Sequence, residues 1–172
     1  MKNLEIKSIQ QLLEIIPNHP GLRVLQFSDG GEQFSDALSE LCLQREHEFQ
    51  LNVLDEEFYP KATELYANKE LSFVKKIKWE QRRYTSHAKQ YDFVFITAPI
   101  PQKERTLCVK TIHSHIKNSG HIVLFLEKNN IKNIDEWYKT LEDTMFVAMN
   151  TIDIFENYEI FIAKKMHGWG GK

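Results

Sequence analysis

Phe146-Val147-Ala148-Met149-Asn150-Thr151-Ile152-Asp153-Ile154-Phe155 and Tyr158-Glu159-Ile160-Phe161-Ile162-Ala163 are two strand-like runs, separated only by Glu156-Asn157. Both are rich in β-branched and aromatic residues. A gap of two residues fits a hairpin, so the two runs are expected to pair antiparallel. This terminal hairpin decides the fold, because everything before it points to parallel strands.

Working back along the chain, strands alternate with helices. Residues 23–27 form a compact strand that runs into the turn Ser28-Asp29-Gly30-Gly31. Phe34, Ala37, Leu38, Leu41 and Cys42 then repeat at helical spacing. Further strands are expected over 49–54, 71–74, 91–96 and 121–126. Helices are expected over 59–68, over 103–117 with Leu107, Val109, Ile112 and Ile116 inward, and over 134–141 with Asn133 or Asp135 at the cap. Gly120 is expected to supply a left-handed turn before the fifth strand. Residues 75–90 are polar and read as either a helix or a loop. An N-terminal helix is expected over 8–16, capped by Ser8 and ended by Pro17 and Pro20. Alternation of this kind implies a mostly parallel sheet with helices on both faces.

The chain has 172 residues, 42% hydrophobic and 27% charged, with a net charge of −2. That suits one domain, here 1–165, and provides no overall field for nucleic acid or an anionic membrane. Residues 166–172 carry three glycines and read as a flexible tail, in which His167 and Trp169 either close over a site or meet a partner. Cys42 and Cys108 fall in apolar helical patterns and read as small buried hydrophobes. No apolar run approaches membrane-helix length and the first residues lack a signal core, so a cytoplasmic setting is the default. No zinc spacing, phosphate-binding loop or nucleophile–base arrangement stands out, and no metal site is expected.

The order of elements resembles the seven-stranded, Rossmann-like class I methyltransferases that use S-adenosylmethionine. A plain dinucleotide-binding domain would instead end on a further strand–helix unit. The resemblance covers roughly residues 21–165. It rests on the strand and glycine turn at 24–32, on Asp55 after the second strand, on Tyr91-Asp92-Phe93-Val94-Phe95-Ile96, and on the turn at 115–120 entering the next strand. It implies an α/β fold with a seven-stranded sheet whose last strand inserts antiparallel between the fifth and sixth.

The resemblance also implies a cofactor shell of Phe27, Ser28, Asp29, Gly30, Gly31, Asp55, Ile77 and Thr97, with Thr97 and Pro99 on the substrate side. In the turn, Ser28 and Glu32 replace the first and third of three glycines usual in the family, while Gly30 keeps the second. The competing reading is a tight turn into a helix. Asp55 either accepts bonds from ribose hydroxyls or caps the next helix. Ile77 would pack on the adenine face, where the family often carries a polar residue. Lys75, Lys76, Lys78, Arg82 and Arg83 interleave with Trp79 and Tyr84. That run either contacts nucleic acid, with the aromatic rings stacking bases, or is a solvated face.

The resemblance implies methyl transfer from S-adenosylmethionine to an unidentified acceptor. The rival is a non-catalytic relative with a degraded cofactor pocket, working as a binding or assembly module. The free edge of the hairpin would suit pairing with a second copy of the chain.

Overall fold

The computed structural model describes residues 4–86 and 88–166. Seven strands form one sheet: β1 (Arg23–Ser28), β2 (Glu48–Val53), β3 (Ser72–Lys76), β4 (Tyr91–Ile96), β5 (Ile116–Glu127), β6 (Phe146–Ile152) and β7 (Tyr158–Lys165). Their spatial order is β3-β2-β1-β4-β5-β7-β6. The first five are parallel, and β7 runs antiparallel to both β5 and β6. The terminal hairpin therefore inserts its last strand as the resemblance implies. Its connection is longer than Glu156-Asn157, because β6 stops at Ile152. Beyond it the Lys128 ammonium pairs with Asp153 and donates to the Phe155 carbonyl at 2.6 Å. The Phe155 ring packs on Phe125. These contacts draw the strand end out of the ladder. Along the outer edge, β6 carries a bulge between Val147 and Asn150, with Ala148 at φ 53°.

Successive strand residues face opposite sides of the sheet. Val24 joins the core beneath α1 (Ile6–Leu13), α2 (Glu32–Gln44) and α3 (Phe58–Tyr66). Leu25 and Phe27 join the core beneath α4 (Arg105–Ser114) and α5 (Ile131–Asp143). Cys42 and Cys108 are buried in these two cores, and burial pushes the Cys42 thiol up to about 12. That is the inert behaviour of a small hydrophobe.

The connection from β3 to β4 forms no helix among its described residues. The sheet face that a crossover helix would cover is instead filled by side chains of this loop, Ile77, Trp79 and Tyr84, all buried. A polar chain pins the loop in place. Asn52 Nδ2 donates to the Tyr84 carbonyl at 2.9 Å, Gln50 Nε2 to Asn52 Oδ1 at 2.8 Å, and the Tyr91 hydroxyl to Gln50 Oε1 at 2.8 Å. The Tyr84 N–H donates to His115 Nε2 at 3.3 Å. Buried polar groups satisfied in series fix one loop conformation.

Several local expectations are corrected. Helix α1 begins at Ile6, and Ser8 lies buried inside it rather than capping it. The expected helix over 103–117 ends at Ser114, and Leu107 is 71% exposed, not inward. Helix α5 is capped by Asn130, whose side chain accepts from the Asn133 N–H. Ser119, not Gly120, holds the positive φ. Gly120 is needed for space: a Cβ there would lie 2.6 Å from Ile116 Cγ2 and 3.1 Å from the Asp92 carbonyl. His167 and Trp169 lie outside the described residues.

The buried His115 gives the loop a pH dependence. Burial is the main cause that holds its imidazole down to about 4, from an ordinary 6.5. The unfolded chain takes up that proton near pH 6.5 and the folded chain resists it, so stability is full above 6.5 and is lost as pH falls towards 4. His47, His113 and His121 are lowered in the same direction, again chiefly by burial. Urea midpoints measured across that window should therefore fall with pH in the wild type. In His115→Gln, which keeps an acceptor for Tyr84, they should fall less.

Candidate functional site

In an open parallel sheet, ligands sit beyond the carboxyl ends of the strands, where the strand order reverses. Here that point lies over β1 and β4. Ser28, Asp55 and Thr97, expected in a cofactor shell, follow or end β1, β2 and β4, and their polar groups already bond within the protein.

Ser28 is fully buried. Its hydroxyl donates to the Gly30 carbonyl at 2.8 Å and accepts from the Gly30 N–H at 3.1 Å. The turn is thus closed on itself. Gly30 and Gly31 have φ of 135° and 82°, which only glycine adopts without strain. A Cβ on Gly30 would meet nothing within 4 Å, so the outer side of the turn is open. Glu32 points away and pairs with Lys61 of α3. Asp55 Oδ2 accepts from the Phe58 N–H at 2.8 Å, which is the helix-capping role.

Thr97 was expected to offer a hydroxyl to a ligand. That hydroxyl accepts from Gln26 Nε2 at 3.0 Å and donates to the Phe27 carbonyl at 2.9 Å. Gln26 Oε1 in turn accepts from Ser35 at 3.0 Å. The relay ties β1, β4 and α2 together, and Thr97 serves it. Ile77, expected on an adenine face, is 1% exposed and lies in the core beneath α4, so that face is covered.

Trp79 lies in the same core. Its indole stacks on Phe27 with centroids 5.2 Å apart, and its Nε1–H donates to the Pro99 carbonyl at 3.1 Å. Tyr84 meets both rings edge-on and donates to the Trp79 carbonyl at 2.7 Å. A bicyclic ring thus bridges the loops that follow β3 and β4. Trp79 and Tyr84 are 9% and 1% exposed, so neither ring is free to stack a base. The cations of that run face solvent, and Lys76 pairs with Glu56 at 2.8 Å.

These observations answer whether the expected shell fits an adenosyl cofactor. An indole bridges the loops after β3 and β4, one oxygen of Asp55 accepts a helix N–H, and the Gly30 N–H is used within its own turn. The residues present do not fit that group.

An open cleft of about 280 Å³ lies beside this closed region, at the ends of β4 and β5. Asp29, Thr97, Pro99, Arg105, Trp137 and Tyr158 are among its lining residues. Arg105 is 7% exposed. Its guanidinium lies 4.5 Å over the Trp137 ring, with Nη2 donating to Asn133 Oδ1 at 2.6 Å and Nη1 3.5 Å from Glu136. Asp29 Oδ1 is buried without a partner, and burial raises its carboxyl above the usual range. Sequence reasoning named Asp29 and Pro99 but missed Arg105. One signal was present: a cation at the first residue of a helix opposes the helix dipole and calls for a reason. Among the described residues, no cluster of His, Cys, Asp or Glu could hold a metal, and no helix is long and apolar enough to cross a membrane.

No family model matches the chain, and no curated protein matches it in sequence. Solved structures do match in shape. One is an S-adenosylmethionine-dependent O-methyltransferase from Thermotoga maritima, 14% identical, with a TM-score of 0.75 over 98% of this chain and 68% of that one. Another is a TehB-like S-adenosylmethionine-dependent methyltransferase from Corynebacterium glutamicum, 12% identical, with a TM-score of 0.72 over 92% of this chain and 86% of that one. The chain also matches the CurJ carbon methyltransferase at 14% identity and a TM-score of 0.68, covering 92% of itself and about half (52%) of that chain. The fold is that of the class I methyltransferases.

If Trp79 is part of the core rather than a ligand contact, its removal must cost core-sized stability. Trp79→Ala should lower the unfolding free energy by about 3–5 kcal/mol, as for other buried Trp residues. Trp79→Phe keeps the stack on Phe27 and loses one hydrogen bond, so it should cost about 1–2 kcal/mol. Urea denaturation measures both.

Proposed function

We propose that this chain is a ligand-binding domain built on the methyltransferase fold, with its adenosyl half closed and its open site in the cleft at the ends of β4 and β5. The observation that carries this reading is the Trp79 indole, stacked on Phe27 and bonded to the Pro99 carbonyl. An adenine arriving there must displace a buried aromatic ring and break a buried hydrogen bond. That loss would be charged against the affinity of any adenosyl ligand. The Ser28–Gly30 closure and the Asp55 cap support the same reading.

A second reading is methyl transfer from S-adenosylmethionine to an unidentified acceptor. It is supported by the likeness to methyltransferase structures and by the open side of the Gly30 turn. It requires Trp79 to leave its place. In that case Asp29, Gly30 and Gly31 would remain the nearest candidates to contact the amino-acid end.

Thermal unfolding with millimolar S-adenosylmethionine, and separately with S-adenosylhomocysteine, distinguishes the two. A ligand that binds only the native state must raise the melting temperature. The closed-site reading expects no shift with either compound. A concentration-dependent rise with either one would replace it with the second reading.

A further inference from the structure

The charge of the chain is unevenly spread. Residues 69–89 carry seven Lys or Arg and two Glu, a net of +5, in a chain whose net charge is −2. Lys75, Lys78, Arg82 and Arg83 are exposed and make no ion pair among the described residues. Besides burial, the cations Arg83, Lys165 and Lys75 hold the His115 imidazole down. A loop cation and a strand cation thus lie on the same side of the sheet.

This block follows an open strand edge. β3 ends the sheet, and no strand pairs with its outer side among the described residues. It pairs with β2 without a register shift, whereas the opposite edge strand, β6, is bulged. The Leu71 carbonyl and the Ile77 N–H bond to β2. Directions alternate along a strand, so Val74 and Lys76 turn their N–H and C=O groups away from β2. Ser72 has the same phase, but its N–H donates to the Lys69 carbonyl at 3.2 Å. Phe73 and Lys75 stand level with Gln50 and Asn52, on the side of the Tyr84 loop. Phe73 is 45% exposed, and Lys89 Nζ lies 4.5 Å over its ring.

Three occupants share some of these features. A second copy is disfavoured, because β3 against β3 sets Lys75 and Lys76 against the same cations. Nucleic acid would use the cations, but Trp79 and Tyr84 are buried and Phe73 already carries an ammonium. Its phosphates only accept, so the outward carbonyls of the edge would gain nothing from them. An extended acidic peptide matches every feature: backbone groups for the edge, carboxylates for the cations and an apolar side chain for Phe73.

We propose that the β3 edge binds an extended acidic segment of another protein as an additional strand, with its backbone on Val74 and Lys76 and its carboxylates on Lys75, Lys78, Arg82 and Arg83. None of these residues lines the cleft at the ends of β4 and β5, so this inference stands apart from the closed-site reading.

The test is fluorescence anisotropy of the full chain with a labelled, end-capped peptide of about six alternating Glu and Val residues, a strand's length. It should bind at low salt, and weaken about tenfold between about 0.05 and 0.3 M salt. The same peptide N-methylated throughout keeps its charge and should bind about tenfold more weakly. Lys75→Gln combined with Lys78→Gln should also cost about tenfold. Lys76→Pro removes an outward N–H where an edge strand tolerates proline, and should weaken binding more than Lys76→Gln, which removes only the charge. Exchange of the Val74 and Lys76 amide protons should slow on binding. Circular dichroism confirms that each variant is folded. Failure of the folded wild type to bind the acidic peptide at low salt overturns the proposal. Equal binding of the N-methylated peptide, or equal losses in Lys76→Pro and Lys76→Gln, overturns it as well. Tighter binding of an oligodeoxythymidylate of matched charge also overturns it, and assigns the surface to nucleic acid.

Discussion

The Trp79 indole holds together the part of the molecule where function is expected. It comes from a loop with no helix among its described residues, yet it contributes to the core beneath α4 and α5. Its stack on Phe27 fixes the loop against β1, and its bond to Pro99 fixes it against the loop after β4. Tyr84 then locks the indole from the edge, and the chain from Asn52 through Gln50 to Tyr91 locks Tyr84. One large side chain therefore fills the core and, in the proposed reading, closes a ligand position. A methyltransferase of this topology with a helix after β3 would not need such a plug.

The closure divides the carboxyl end of the sheet into two unequal parts. Just past β1, β2 and β4, polar groups are spent on internal bonds: Ser28 on its own turn, Asp55 on α3, Thr97 on Gln26 and Phe27. Over β4 and β5, Arg105 and Asp29 keep unpaired buried atoms. Evolution of a fold away from its usual ligand need not erase the whole site. The proposed reading keeps the fold and moves the ligand site along the same sheet edge.

Much of this fold was legible in the sequence. Residues 91–96 read as a strand at the bounds the structure gives, because a continuous apolar run between turn signals allows little else. The antiparallel pairing of the last two strands followed from the short gap after residue 155, and the insertion of the last one beside the fifth is what the family resemblance implied. What failed were features set by tertiary contact. Gly120 looked like a turn glycine, but it is required by the approach of Ile116 and Asp92. Leu107 fitted an inward stripe, yet the helix turns it to solvent. Trp79 and Tyr84 looked like part of a cationic surface run, because nothing in a one-dimensional pattern shows that a crossover helix is missing. Asp55 was read as either cap or ribose contact, and its Oδ2 accepts from the Phe58 N–H as a cap does.

The Trp79 indole belongs to the core and is not a lid. Hydrogen exchange of its Nε1–H, followed by NMR, tests this most directly. If the account is right, this proton is protected to nearly the level of the slowest backbone amides of β1 and β4, because it exchanges only on global unfolding. Exchange at rates typical of an exposed indole would show that the ring leaves its place readily, and would contradict the account.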